Sequence, residues 1–148
     1  PEAEILMGTA TAGISWAALV ADKMDLPMGY VRSSNKDHGK GNKIEGNLPK
    51  GAKVVIVEDL ISTGGSVKGV VEALREAGAE VLGVVAIFTY LLPASTQLFT
   101  SINCDFKTLS NYDVLVEVAK EMDYIQESDM EKLLAWKQDP NDESWMNK

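Results

Sequence analysis

The segment "KVVIVEDLISTGGSVKGVVEALREAGAE", residues 53–80, constrains the fold more than any other part of the chain. Its apolar run, "KVVIVED" at Lys53–Asp59, reads as the clearest strand in the sequence. A helical pattern follows at once. Val67, Val70, Val71 and Leu74 fall on one face, and Gly78 stands where a helix C-cap belongs. "EVLGVVAIFTY" at Glu80–Tyr90 then supplies another strand. A strand, a helix and a further strand in that order form the repeating unit of a parallel sheet.

The same alternation runs on either side. "EILMG" at Glu4–Gly8 reads as a short buried strand, and "GISWAALVADKM" from Gly13 places Ile14, Ala17, Ala18 and Ala21 at helical spacing. "MGYVR" at Met28–Arg32 is a second strand after Pro27. Downstream, "PASTQLFTSI" suits a helix, "DFKTLS" a short strand and "YDVLVEVAKEM" an amphipathic helix. "SDMEKLLAWK" opens with a capping box of Ser128 and Glu131. The polar tail "DPNDESWMNK" is expected to fray. The fold class is therefore α/β, with a mostly parallel central sheet flanked by helices. A length of 148 residues fits one domain, 1–148, and no repeat or linker divides it. The opening "PEAEILMGTATAG" lacks an initiator Met and enters a strand almost immediately, which reads as a piece of a longer protein.

Composition excludes several functions. A net charge of −8 argues against nucleic acid as a partner, because that affinity rests on neutralising many phosphates. No apolar run approaches a membrane span. Cys104 is the single cysteine, which excludes an internal disulfide and suits a reducing cytoplasm; with one histidine, His38, it leaves a structural zinc site without ligands.

Three segments carry chemistry. In the first, Glu58 and Asp59 close a strand at the carboxyl edge, where open parallel sheets bind ligands. Leu60, Ile61, Ser62, Thr63, Gly64, Gly65 and Ser66 then lead into the helix. A loop entering a helix N-terminus presents unpaired N–H groups and the positive end of the helix dipole to a phosphate. "TGGS" alone reads sooner as a tight strand–helix turn with Ser66 as N-cap. Two carboxylates beside a phosphate cradle, however, are unfavourable unless they meet hydroxyls, a metal or a cationic transition state. A ribose 5-phosphate meets both demands.

The second segment is "GTATAGIS", with Thr9, Ala10, Thr11, Ala12 and Gly13 between a strand and a helix. Its spacing mimics a P-loop, but Ile14 replaces the lysine, so nucleotide hydrolysis is rejected. Its free amides suit a second phosphate group such as pyrophosphate, or equally a plain helix start. The third, Ser33 to about Gly51, is long and irregular and gathers Lys36, His38, Lys40 and Lys43 just after Arg32. Arg32, Lys36 and His38 suit the charge on a departing pyrophosphate, while Lys40 and Lys43 read as solvated.

Together these segments resemble the type I phosphoribosyltransferases. "VVIVEDLISTGGS" is similar to their phosphoribosyl pyrophosphate motif, and "RSSNKDHGKGNKIEG" and "GTATAGI" to the catalytic and pyrophosphate loops of the orotate enzymes, in the version of Gram-positive bacteria. The resemblance implies the type I fold and transfer of the phosphoribosyl group of 5-phosphoribosyl 1-pyrophosphate to orotate. The products are orotidine 5′-phosphate and pyrophosphate, in de novo pyrimidine synthesis. It implies Mg²⁺ held mainly by substrate, with no direct protein ligand. It gives catalytic parts to Lys36, Glu58 and Asp59 and places Ser62 near orotate. It further implies a cytoplasmic homodimer whose catalytic loop is shared between subunits, and an N-terminal hood over the base that this chain lacks. Departures are Ser33 and Ala12 where many relatives carry lysines, and "YLLPAS" without an orotate-binding arginine. A purine phosphoribosyltransferase and a non-catalytic regulator that binds phosphoribosyl pyrophosphate are the alternatives. The "KDHG" loop weighs against the first, and the retained Arg32, Lys36, His38 and acid pair against the second.

Overall fold

The computed structural model describes residues 2–32 and 43–147. Six strands form one sheet: β1 (Ile5–Thr9), β2 (Met28–Val31), β3 (Ile44–Glu45), β4 (Lys53–Ile61), β5 (Glu80–Thr89) and β6 (Phe106–Asn111). Their order is β3-β2-β1-β4-β5-β6; every neighbouring pair is parallel except β2 with β3. The order reverses between β1 and β4, the place where such sheets leave a ligand crevice at their carboxyl ends.

Alternation along the strands sorts the core onto the two faces. Ile5, Met7, Val54 and Ile56 join Val67, Val70, Val71 and Leu74 of helix α2 (Gly65–Glu76) and Phe99 of α3 (Pro93–Ser101). Leu6 and Val57 point the other way, against Ala17 and Ala21 of α1 (Ala12–Met24). All four apolar positions read for α2 are buried; on α1, Ala18 is exposed and Gly13 takes its place at the sheet. Two further helices, α4 (Tyr112–Glu121) and α5 (Glu127–Gln138), pack beyond β6, where Tyr90, Tyr112 and Trp136 form a ring cluster. No described helix is long and apolar enough to cross a membrane.

Several boundaries differ from the sequence reading. β4 continues past the acid pair to Ile61, because β5 offers register partners out to Thr89. β1 stops at Thr9 and turns into α1, so Glu58 and Asp59 lie at the edge toward β1 but inside the ladder toward β5. α2 is capped by Gly64 rather than Ser66 and closes on Ala77, one residue before Gly78. α5 begins at Glu127, and its capping box is Gln126 with Asp129, whose Oδ2 accepts the Gln126 N–H at 2.9 Å, not Ser128 with Glu131. The segment from Ser33 is not wholly irregular, since β3 pairs with β2. Nor does the whole tail fray: Glu143–Asn147 forms a 3₁₀ turn after Asp142, whose carboxylate takes the Ser144 N–H at 2.9 Å.

Candidate active site

Two helix entrances meet at the crevice. α2 starts from Gly64, whose φ of +85° lies in the left-handed region. A Cβ there would also lie 2.9 Å from Leu98 Cδ2 and 3.2 Å from Phe99 Cε2, so those side chains would have to shift as well. The first turn of α2 contains no acidic residue and its cap makes no side-chain hydrogen bond. Its amides are left to an incoming anion, with the helix dipole behind them. Leu60, Ser62, Thr63, Gly64, Gly65, Ser66 and Val67 line a small cavity of about 100 Å³ at this point. Ile61 does not join them; it is fully buried in the core.

The second entrance, Thr9–Gly13, stands one strand away. Its helix, α1, likewise has no acid in its first turn and no side-chain cap at Thr11. The Ala10–Thr11 peptide is cis. Gly13 brings α1 against β4: a Cβ on it would lie 2.5 Å from the Val57 carbonyl oxygen and 3.4 Å from Glu58 Cα. That contact sets the distance between the small-residue loop and the acid pair.

The two acids are not equivalent. Asp59 is partly exposed, whereas Glu58 is 5% exposed, and its Oε1 accepts the Asp59 N–H at 2.9 Å. Burial, followed by the neighbouring Asp59 carboxyl, pushes Glu58 up to about 8. At neutral pH the pair therefore retains a proton and carries less than its formal charge. This relieves the repulsion that two ionised carboxylates beside a phosphate cradle would exert.

Arg32 leaves β2 beside the crevice, and its Nη2 contacts Glu45 Oε1 of β3 at 2.7 Å. Lys36 and His38, with Lys40, lie outside the described residues. Ser62 is exposed and borders a second cavity, of about 250 Å³, between Thr63, Pro93 and Ala94 on one side and Asp139 and Asn141 on the other. The sequence reading missed this C-terminal wall. The Asp-Pro pair at 139–140 signals a turn, but no local pattern tells that the turn packs back onto the loop at Ser62. Among the described residues no group of three His, Cys, Asp or Glu side chains comes together. Mg²⁺ commonly takes one or two carboxylates and completes its octahedral shell with water and substrate phosphates, so the Glu58–Asp59 pair fits an ion that arrives with substrate.

A family model described as a phosphoribosyl transferase domain matches residues 2–116. The orotate phosphoribosyltransferase of Bacillus pumilus is 60% identical over 144 residues, which is 97% of this chain and 68% of that protein. The crystal structure of orotate phosphoribosyltransferase from Aeropyrum pernix matches with a TM-score of 0.73 at 27% identity, covering 84% of this chain and 67% of that one. The structure of Leishmania donovani UMP synthase matches with a TM-score of 0.75 at 25% identity, covering 90% and 28%.

Proposed function

The chain belongs to the orotate phosphoribosyltransferases, and from that membership we propose that it transfers the phosphoribosyl group of 5-phosphoribosyl 1-pyrophosphate to orotate, releasing pyrophosphate. One observation in the structure supports this most: the acid pair and the uncommitted start of α2 stand six residues apart on one strand–loop–helix unit, from Asp59 to Gly65. That spacing suits the hydroxyls and the 5-phosphate of one sugar.

In this reading Leu60 to Ser66 surround the ribose 5-phosphate, with Ile61 contributing backbone only. Glu58 and Asp59 take the sugar hydroxyls, and Thr9–Gly13 take the pyrophosphate together with Arg32, Lys36 and His38. Ser62 borders orotate. As the C1–O bond breaks, its electron pair leaves on pyrophosphate and positive charge grows at C1. Carboxylates held in a dry crevice favour that charge far more than water would. The orotate ring nitrogen needs chiefly orientation to attack C1, a proximity effect. We assign no residue as general base. Chelated by pyrophosphate, Mg²⁺ would neutralise leaving-group charge.

We further read residues 1–148 as the core domain of the transferase, acting in the cytoplasm as a homodimer that shares its catalytic loop. An apolar stripe on α1 favours a second copy: Trp16, Leu19, Val20 and Met24 are all exposed at helical spacing. The test of the reaction is loss of orotate absorbance with phosphoribosyl pyrophosphate and Mg²⁺, run beside adenine, hypoxanthine, guanine and uracil. Consumption of orotate alone is expected. Turnover of a purine, or binding of phosphoribosyl pyrophosphate without any turnover, would overturn the proposal.

A further inference from the structure

The cavity of about 250 Å³ shares Ser62 and Thr63 with the smaller one at the start of α2, so whatever fills it adjoins the sugar-phosphate site. Its volume lies below the roughly 300–1,000 Å³ of drug-sized ligand sites, which suits a single ring. Leu92, Pro93 and Ala94 give it an apolar side, and the turn after α5 faces them with Gln138, Asp139 and Asn141. No described lysine or arginine lines it. The turn is firmly held. Trp136 packs against Tyr90 at 5.3 Å and Tyr112 at 5.1 Å, and Lys137 Nζ donates to both Asp113 oxygens at 2.6 and 2.7 Å. The Tyr90 N–H in turn donates to the Ile61 carbonyl at 3.1 Å, which ties this wall to the strand carrying the acid pair. Within the turn, Asp139 Oδ1 accepts the Asn141 N–H at 3.0 Å, and the Asp139 carbonyl accepts the Asp142 N–H at 3.1 Å. Asp139 Oδ2 and the side-chain amides of Gln138 and Asn141 have no hydrogen-bond partner among the described residues. In chain order the wall therefore offers an amide donor, a carboxylate acceptor and a second amide donor.

We propose that this wall determines base specificity by reading the imide edge of the pyrimidine: Asp139 Oδ2 accepts the ring N3–H, and the Gln138 and Asn141 amides donate to the carbonyl oxygens on either side of it. The inference deepens the proposed transfer to orotate and rests on it. Orotate carries its carboxylate at C6, across the ring from N3, so the edge that meets Asp139 is the neutral one. N1, the atom that attacks the sugar, stands beside C6 and away from the wall. A wall with an acid and no cation accepts the neutral edge and repels the charged one, which fixes the way round that the ring enters. Adenine presents an acceptor at N1 beside an amino donor, the reverse pattern, and leaves Asp139 facing a lone pair. A site built to hydrogen-bond a substrate N–H discriminates strongly against a ligand that lacks it. Uracil has the same imide edge as orotate, so this wall does not tell those two apart.

The test is calorimetric binding of orotate and of 3-methylorotate, in which a methyl group replaces the N3 proton. Ribose 5-phosphate is present throughout to fill the sugar site without reacting. The unmodified protein is expected to bind orotate about 10–100-fold more tightly than its methylated analogue. In Asp139→Asn the side-chain oxygen stays on the Asn141 N–H and the NH₂ group turns to the ring, so donor meets donor. Orotate binding is expected to weaken at least about 10-fold there, with 3-methylorotate unchanged, and the preference disappears. That variant is nearly isosteric, so a wall that only excluded the methyl group would keep its preference. Gln138→Ala and Asn141→Ala should each weaken orotate binding about 3–10-fold. Equal binding of the two ligands by the unmodified protein, binding of neither, or an undiminished preference in Asp139→Asn overturns the inference. Orotate turnover by the same proteins separates the two readings. A preference for orotate without turnover sinks the proposed reaction and leaves the wall standing. Turnover without the preference does the reverse.

Discussion

Gly13→Ala is the perturbation that tests the site geometry most directly. Two effects oppose each other. Alanine is the better helix former by about 1 kcal/mol, and Gly13 lies in the first turn of α1. Against that, its new Cβ would stand 2.5 Å from the Val57 carbonyl oxygen, a backbone atom that no rotamer change can move. Ordinary carbon–oxygen contacts lie near 3.3 Å, so α1 must retreat from β4 by about 0.8 Å. Overpacking of this kind costs about 1–3 kcal/mol, enough to cancel the helix gain and leave a net loss of up to about 2 kcal/mol. For a domain of this size that lowers Tm by up to about 6 °C. The catalytic effect is larger, since the retreat carries the start of α1, Thr11–Gly13, away from Glu58. A misplacement near 1 Å is worth about 100-fold in rate. Gly69→Ala is the matched control, because Gly69 is also helical but its Cβ would meet nothing within 4 Å. It should raise stability by up to about 1 kcal/mol and leave turnover unchanged. Circular dichroism melts and orotate turnover read both variants. Melting shifts of the same sign, or wild-type turnover in Gly13→Ala, would show that this close approach does not set the site.

Glu58 sits near 8 in the folded protein against 4.5 as its ordinary value, so folding stability is fully present below about pH 4.5 and is lost as pH rises toward 8. The loss is at most about 1.4 kcal/mol per pH unit, and Glu58→Gln should remove it; urea midpoints at pH 5, 6, 7 and 8 that fall equally in both proteins would refute the assignment. Asn111 caps α4, its Oδ1 accepting from Asp113 N and Val114 N at 3.1 Å each. Asn111→Ala should cost about 1 kcal/mol and Asn111→Asp almost nothing, by thermal melting; equal losses would deny the cap. Lys36→Ala should nearly abolish product formation while weakening phosphoribosyl pyrophosphate binding only modestly, by turnover beside calorimetry. Unchanged turnover would remove Lys36 from the mechanism.

What the sequence disclosed and what it withheld divide along a physical line. Val67, Val70, Val71 and Leu74 were legible as one face because a helix pitch is a local property, and all four are buried. The parallel order of the sheet followed from strands separated by helices. Boundaries were harder, since β4 runs on to Ile61 only because β5 is there to pair with it. The capping box of α5 lies two residues before the one the sequence offered: Ser128 and Glu131 match the usual Ser-x-x-Glu pattern, whereas Gln126 and Asp129 form a box outside it. The site shows the limit most clearly. Residue type and spacing picked out Glu58 and Asp59 together, as two carboxylates of equal standing. Their difference depends on β1 ending beside one of them and on α1 pressing through Gly13 against the strand that carries both. Burial then leaves Glu58 neutral at the pH where its neighbour is still partly in water. An anion-binding crevice of the kind proposed can thus keep two acids at its centre, because burial holds one of them neutral.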